Sequence, residues 1–304
     1  MPNIVASLTT LPKRLAFISP TLSSLLNQTR PVSKIYLHIP DKTIRTQETY
    51  DEHLLQNLQN KFGSILYINR CGQDLGPITK IVPILDVVSD PNTLIFCADD
   101  DTIYKPKTIE DLYKCHLRNP NAVVGFGGVS VGHWPFHIQF VTENSRDVEV
   151  DWLQGVHGIL YYRKFLDKQA MTNLEKEDPP ELWYNDDHQL ALYFQRKGIP
   201  RISCKGYIKD YIKYCGHNTV DALSGRRYKK MQESIKILNY MRRKRYYRRN
   251  YSMTTSIVFY ILAFILLFIL LCIGLRTIYS CEIFTGILIL ILLLVVGILR
   301  YNVY

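Results

Sequence analysis

The segment Phe96-Cys97-Ala98-Asp99-Asp100-Asp101-Thr102-Ile103-Tyr104 contains three consecutive aspartates between two apolar stretches. The apolar run Leu94-Ile95-Phe96 indicates a short buried strand, and Pro106 closes the segment before a helical pattern begins. Three consecutive carboxylates repel one another and raise one another's pKa unless a cation neutralises them. Because carboxylate oxygens suit Mg²⁺ and Mn²⁺, the cluster favours a divalent-metal site that holds a phosphorylated substrate. The alternative is a solvated turn that caps the next helix.

Strands and helices alternate in the sequence before this cluster. The apolar patterns predict strands at residues 4–8, 34–39, 65–68 and 93–96, with helical spacing at residues 15–26, 48–62 and 81–88. This order predicts an α/β fold with a mixed, mainly parallel sheet and helices on both faces. Ligands of such sheets bind beyond the carboxyl ends of the strands. Three polar clusters fall there, at residues 9–14, 40–42 and 99–101.

The second half of the chain has a less regular pattern. We expect a strand at residues 122–126, a loop leading into a strand at residues 155–162, and a helix over residues 188–197. Asn185-Asp186-Asp187 opens that helix, because Asn and Asp are favoured at its first positions, and Gly198 with Pro200 ends it.

Two apolar runs near the end of the chain, residues 257–275 and 283–299, carry no charge. Each is about long enough to cross a hydrocarbon core of roughly 30 Å, and neither has a polar face. The sequence therefore predicts two transmembrane helices that form a hairpin within residues 253–304.

The net charge of +10 is concentrated just before the first apolar run. Residues 226–249 contain 11 Lys or Arg and a single acid, Glu233. A basic, aromatic-rich segment can bind RNA, but its place beside an apolar span fits anionic membrane lipid better, so no nucleic-acid partner is expected. The same charge bias places residues 1 to about 250 on the cytosolic side.

The seven cysteines are odd in number and include no CxxC pair. This pattern indicates neither a zinc site nor a disulfide framework. The first residues, MPNIVASLTTLPKR, lack the basic start and long apolar region of a secretory signal. Both observations favour a reduced domain that faces the cytosol.

The order of motifs resembles that of GT-A glycosyltransferases, most closely family 2 and its relatives. The matching elements cover roughly residues 3–220 and are Ser7-Leu8-Thr9-Thr10-Leu11-Pro12-Lys13-Arg14, Leu75-Gly76-Pro77-Ile78-Thr79-Lys80, Asp99-Asp100-Asp101 as a DxD element, and Asn185-Asp186-Asp187. The resemblance implies a GT-A catalytic domain at residues 1–224, followed by a basic juxtamembrane segment at residues 225–252 and the hairpin at residues 253–304.

The resemblance also implies a nucleotide-diphosphate sugar as donor and Mn²⁺ or Mg²⁺ as cofactor. In an extended segment Asp99 and Asp101 point the same way, and Asp101 is the preferred direct metal ligand with Asp99 beside it. His217 is a further candidate for the metal. Donor binding is assigned to seven residues: Thr9, Thr10, Arg14, Asp41, Lys80, Asp99 and Asp100.

The catalytic base is expected on the other side of the sugar. Asp187 is the first choice and Asp186 the second, because an inverting transfer needs a carboxylate that takes the proton of the acceptor hydroxyl. An ordinary helix cap is the alternative for both. The acceptor, a glycan, glycolipid or glycoprotein, is expected to contact five residues: Trp152, Gly155, His157, Gly158 and Trp183. Either tryptophan could instead serve in packing.

One departure from the family limits the activity. The QxxRW element of processive synthases is absent, since only Gln195-Arg196-Lys197 and Gly225-Arg226-Arg227 come near it. We therefore expect transfer of one sugar by a membrane-anchored enzyme. A non-catalytic membrane adaptor with a lipid-binding basic segment and a nucleotidyltransferase remain the alternatives.

Overall fold

Strand β1, Ile4–Thr9, is an inner strand of the main sheet and is buried along almost its whole length. Its residues are apolar on both faces apart from Ser7 and Thr9, as is typical of parallel strands that are covered on both sides. The computed structural model describes residues 2–131, 138–173 and 178–215, together with residues 236, 237 and 240. All of them belong to one compact unit, residues 1–247.

The other strands of the described residues follow in chain order: β2 (Ile35–Pro40), β3 (Leu66–Gly72), β4 (Leu94–Cys97), β5 (Thr102–Tyr104), β6 (Val123–Gly125), β7 (Gly128–Val131), β8 (Ile138–Val141), β9 (Glu143–Asn144), β10 (Val148–Glu149), β11 (Trp152–Leu153), β12 (Ile159–Tyr162), β13 (Arg201–Ser203), β14 (Gly206–Tyr207) and β15 (Ile212–Tyr214). The α-helices are α1 (Ser19–Leu26), α2 (Glu52–Phe62), α3 (Thr108–Arg118), α4 (Lys168–Thr172) and α5 (Asp186–Arg196). Short 3-10 helices lie at Pro12–Phe17, Gly63–Ile65, Gly76–Lys80, Pro83–Asp86, Gly155–His157, Arg163–Phe165, Pro180–Tyr184 and Ile208–Asp210.

The main sheet has eight strands in the order β10-β13-β6-β12-β4-β1-β2-β3. Four of its seven strand pairs are parallel: β4 with β1, β1 with β2, β2 with β3, and β13 with β6. The predicted mixed, mainly parallel sheet is therefore confirmed. Because Ser7 of β1 lies between Tyr36 of β2 and Cys97 of β4, the carboxyl ends of these three strands meet at one edge. This register brings the three predicted polar clusters to the same edge.

Two apolar clusters cover the two faces of this sheet. Alternate residues of β1 separate between them: Ala6 and Leu8 pack with α1, α2 and α3 on one face, and Val5 packs with α5 and the Pro83–Asp86 turn on the other. The expectation of a sheet covered on both faces is confirmed. Burial of the apolar positions on both faces fixes the register, since a shift by one residue would exchange the faces.

The segment at residues 81–88 differs from the predicted helix. It forms a 3-10 turn at Pro83–Asp86, and another 3-10 turn, Gly76–Lys80, lies just before it. Pro77 and Pro83 stand at the first positions of these turns, where a proline fits, but neither can donate the hydrogen bond of a continuous α-helix. The result is two short, largely buried turns, the first of which ends at Lys80.

A disulfide between Cys115 of α3 and Cys204, the residue after β13, corrects two expectations: that no disulfide is indicated and that the domain is reduced. Both cysteines are buried. The parallel pairing of β13 with β6 brings Cys204 next to α3, and the backbone N–H of Cys204 donates to the carbonyl of Gly125 at 2.9 Å. A contact that spans 89 residues has no signal in local cysteine spacing.

Among the described residues no helix is long and apolar enough to cross a membrane. The predicted hairpin and most of the basic segment lie outside those residues. Of the basic segment, Ile237 and Tyr240 are buried in a cluster with Trp152, Leu182 and Ala191. Ile237 and Tyr240 therefore pack against the sheet domain beside α5.

Candidate active site

The three carboxylates lie in the tight link between β4 and β5, at the carboxyl edge of the sheet. The backbone N–H of Ala98 donates to the carbonyl of Ser7, and that of Asp99 to the hydroxyl of Tyr104 at 2.9 Å. Thr21 donates from its hydroxyl to the carbonyl of Asp100 at 2.9 Å. The link is held on both sides, so its three side chains have defined directions.

Asp100 points into the protein. Its carboxylate accepts hydrogen bonds from the hydroxyl of Thr10 at 2.6 Å and from Nη1 of Arg14 at 2.7 Å. Burial raises the pKa of Asp100, and the charge of Arg14 opposes that rise. Thr10 and Arg14, both predicted donor residues, thus contact the carboxylate of Asp100, a third donor candidate.

Asp99 and Asp101 face the solvent at this edge. Their side chains are 27% and 30% exposed, whereas that of Asp100 is 9% exposed. Burial and the charges of Asp100 and Asp99 raise the pKa of Asp101, and Arg14, 3.2 Å from its carboxylate, acts in the opposite direction. Residues 100 and 101 form a turn and not the expected extended segment, so Arg14 contacts the carboxylates of both Asp100 and Asp101, whereas Asp99 pairs with Lys80.

Lys80 connects this cluster to the start of α5. Its Nζ lies 2.7 Å from Oδ1 of Asp99 and 2.6 Å from Oδ2 of Asp186, and its side chain is 8% exposed. Burial alone would lower the pKa of Lys80, but the charges of Asp186 and Asp99 raise it well above its usual value. The lysine therefore stays protonated and bridges residues that are far apart in the sequence.

A buried chain of hydrogen bonds holds the backbone of Lys80. The amide of Asn69 donates to Nδ1 of His38 at 2.9 Å, Nε2 of His38 lies 2.9 Å from the Ser7 hydroxyl, and that hydroxyl donates to the Lys80 carbonyl at 2.6 Å. Because the only hydroxyl hydrogen of Ser7 is used on Lys80, Nε2 of His38 carries the proton. Burial lowers the pKa of His38 to about 3, so it remains neutral.

Asp187 lies in the first turn of α5, next to Asp186. Asn185 caps the helix by accepting from the N–H of His188, and Oδ1 of Asp187 accepts from the N–H of Gly155 at 2.8 Å. Burial, followed by the charge of Asp186, raises the pKa of Asp187 to about 7, and Lys80 opposes the rise. A carboxylate in this state can exchange a proton near neutral pH.

Two glycines allow the close packing around this carboxylate. A side chain on Gly155 would place its Cβ 2.8 Å from Nζ of Lys80 and 3.0 Å from Oδ1 of Asp187. Gly158 has a φ of +85°, and a Cβ there would meet the ring of Phe96 at 2.7 Å. Both glycines were predicted as acceptor residues, and the structure places Gly155 directly against the charged cluster.

His157 and Tyr214 form a second link between the two sides of the site. Nε2 of His157 lies 3.0 Å from the Tyr214 hydroxyl, and the N–H of Cys215 donates to the carbonyl of Asp101 at 2.9 Å. Burial and the charges of Asp101 and Asp99 raise the pKa of Tyr214. Sequence reasoning missed Tyr214, since only the pairing of β15 with β5 brings it here.

The remaining donor candidates lie at the ends of β1 and β2. Thr9 donates from its hydroxyl to the carbonyl of His38 at 2.8 Å, and Asp41 is exposed, with its N–H bonded to the carbonyl of Gly72. Sequence reasoning also missed Tyr50, whose hydroxyl donates to the carbonyl of Thr10 at 2.6 Å. His217, the predicted extra metal contact, lies outside the described residues, two positions after Cys215.

The two tryptophans predicted for the acceptor make packing contacts. Trp152 is 6% exposed, and its ring lies 4.6 Å from that of His188. Trp183 is half-buried and covers Gly76, where a Cβ would meet its backbone oxygen at 2.9 Å and its ring at 3.1 Å. Trp183 thereby holds the turn that ends at Lys80 against the turn that precedes α5.

Within the described ranges, no group of three or more His, Cys, Asp or Glu side chains is arranged to hold a metal ion. The two partly exposed carboxylates, Asp99 and Asp101, nevertheless have the donor chemistry that Mn²⁺ and Mg²⁺ prefer. Burial and the neighbouring carboxylates raise the pKa of Asp101, and a cation beside it would favour its charged form. These residues fit a divalent ion whose other ligands come from a bound diphosphate and water.

No protein-family model matches the chain, and no curated protein is similar enough to serve as a relative.

Proposed function

We propose that the protein is a membrane-anchored, metal-dependent glycosyltransferase of the GT-A type. It would transfer one sugar from a nucleotide-diphosphate donor to an acceptor hydroxyl. The observation that carries the proposal is the bridge made by Lys80, whose Nζ lies within 2.7 Å of both Asp99 and Asp186. It joins the carboxylates that suit a diphosphate-bound metal to a helix start that suits a catalytic base.

The donor half of the site comprises the carboxylate cluster and the loop after β1. Asp101 and Asp99 would hold Mn²⁺ or Mg²⁺, which supplies Lewis-acid stabilisation of the departing nucleoside diphosphate. Arg14 and Lys80 are the cations nearest to these carboxylates among the described residues and suit phosphate oxygens. Asp41 and Thr9 line the strand ends where a nucleoside would lie.

The acceptor half centres on Asp187. We assign to it the removal of the proton from the acceptor hydroxyl, with inversion at the anomeric carbon. Its raised pKa of about 7 is suited to a general base at neutral pH. The N–H of Gly155 fixes one of its oxygens, so the carboxylate is already oriented. Asp186, paired with Lys80, would hold the lysine and maintain that orientation.

The membrane part of the proposal rests on sequence alone. Two apolar runs and the basic segment before them would anchor the enzyme in a lipid bilayer, with the sheet domain facing the cytosol. The acceptor would then be a glycan, glycolipid or glycoprotein within reach of the membrane. The missing QxxRW element supports the addition of one sugar.

The test is a thermal-shift screen of the full chain with nucleotide-diphosphate sugars and nucleoside triphosphates, each with and without Mn²⁺. A glycosyltransferase is stabilised by one of the diphosphate sugars, and the stabilisation requires the metal. Stabilisation by triphosphates alone would favour a nucleotidyltransferase. A chain that responds to none of these ligands but binds anionic vesicles would favour a membrane adaptor.

A further inference from the structure

Two side-chain cations already pair with the three carboxylates of the donor half. Arg14 lies 2.7 Å from Asp100 and 3.2 Å from Asp101, and Lys80 lies 2.7 Å from Asp99. Both cations are largely buried, with exposed fractions of 13% and 8%. Any divalent ion that binds Asp99 and Asp101 must therefore displace, or lie next to, two fixed positive charges.

Each cation has one inner and one outer carboxylate partner. The inner partner of Arg14 is Asp100, 9% exposed, and its outer partner is Asp101, 30% exposed. The inner partner of Lys80 is Asp186, 13% exposed, and its outer partner is Asp99, 27% exposed. Each cation can release its outer carboxylate and keep a buried counter-charge, so neither is left unpaired in the protein interior.

The side chains that would separate, Asp99 and Asp101 on one side and Lys80 and Arg14 on the other, fit the chemistry of a metal–diphosphate complex. Asp99 and Asp101 would become ligands of the cation, while the freed donors of Arg14 and Lys80 face a group that carries several negative oxygens. A divalent ion without a diphosphate offers these two side chains no new partner. Binding of the ion alone is then opposed by their charges, whereas binding together with a diphosphate is not.

We propose that Arg14 and Lys80 are exchangeable counter-ions, which weaken binding of a divalent cation alone and transfer to the diphosphate when cation and donor bind together. This inference rests on the proposed function. It adds that the metal and the nucleoside diphosphate bind to the site cooperatively. Arg14 is the better residue to test, because Lys80 also supports α5.

The experiment measures Mn²⁺ binding to the full chain by calorimetry, first alone and then with each common nucleoside diphosphate. For R14Q we expect Mn²⁺ alone to bind about tenfold more tightly than to the parent, since one opposing charge has been removed. The same variant should lose about tenfold of the enhancement that a nucleoside diphosphate gives the parent. The side-chain amide of Gln can still donate to Asp100, which favours retention of the fold.

Two matched variants control for general effects. K13Q removes the same charge from the same turn, but Lys13 is 61% exposed and pairs with Glu48 at 3.1 Å, so we expect parent-like Mn²⁺ binding. R14K keeps the charge and should also bind Mn²⁺ alone as weakly as the parent does.

The outcomes separate the two proposals. If the parent binds Mn²⁺ with a nucleoside diphosphate but R14Q binds Mn²⁺ alone no more tightly, the counter-ion exchange is refuted and the proposed function stands. If neither protein binds Mn²⁺ under any condition, both proposals fail. Equal tightening in R14Q and K13Q would also refute the exchange, because it would reflect net charge alone.

Discussion

Replacement of Lys80 by Met removes the charge that joins the two halves of the site. Its amine lies 2.7 Å from Asp99 and 2.6 Å from Asp186, and its side chain is 8% exposed. Removing one partner of a buried ion pair costs about 3–5 kcal/mol, because the remaining charge stays without compensation. Asp99 is 27% exposed and can regain some water, so we expect a loss of about 3 kcal/mol in the free energy of unfolding.

The loss of unfolding free energy in K80M should depend on pH. The charge of Lys80 lowers the pKa of Asp187, so in the K80M variant that pKa rises further above its usual value, and stability falls more steeply than in the parent as the pH rises. The difference between parent and variant should therefore be larger at about pH 8 than at about pH 5. Urea unfolding of the full chain, followed by fluorescence at both pH values, measures it.

Lys114 is the matched control for this substitution. It pairs with Glu110 and Asp111 at 3.2 Å but is 55% exposed, so K114M should leave the free energy of unfolding close to that of the parent. A K80M protein that is as stable as K114M, or whose loss is the same at both pH values, would refute the bridging role of Lys80.

Three further predictions concern other parts of the domain. Because the folded pKa of Asp187 is raised to about 7, its ionisation opposes folding as the pH rises from about 4 to 7. Urea unfolding should therefore show that D187N is roughly 2–4 kcal/mol more stable than the parent at about pH 8 and similar to it at about pH 4. Y240F removes the hydroxyl that donates to the fully buried side chain of Asp178 and should lower the free energy of unfolding by about 1–2 kcal/mol. An unchanged value would argue against the packing of Tyr240 on the sheet domain. Replacing Cys115 and Cys204 by Ser removes a disulfide that spans 89 residues and should lower the free energy of unfolding by about 4–5 kcal/mol, as estimated from chain entropy. A reductant should lower the melting temperature of the parent but not that of the double variant.

Local sequence patterns were enough to predict the strands that carry the site. The apolar run before Asp99 and the Asn-Asp-Asp start of α5 are signals within a few residues, and the structure has both elements there. These features depend on near neighbours in the chain, which a sequence displays directly. The expected alternation of Asp99, Asp100 and Asp101 was wrong, because residues 100 and 101 form a turn and Arg14 contacts both of their carboxylates.

Features that depend on strand register could not be predicted. The bridge from Lys80 to Asp186 joins residues brought together only when the turn after β3 packs against the turn before α5. His38 gave no sequence signal, since its role as the link between Asn69 and Ser7 exists only once β1, β2 and β3 lie side by side. The disulfide and the position of Tyr214 were missed for the same reason.

The most direct test of the central claim is release of nucleoside diphosphate from the stabilising donor sugar, with Mn²⁺ and the full chain. We expect the parent to release it and D101A to lose activity together with Mn²⁺-dependent donor binding. We expect D187N to keep donor binding but to turn over at least about a hundredfold more slowly than the parent. Parent-like rates in both D101A and D187N would contradict the assignment of the two carboxylates to the donor and acceptor halves of one active site.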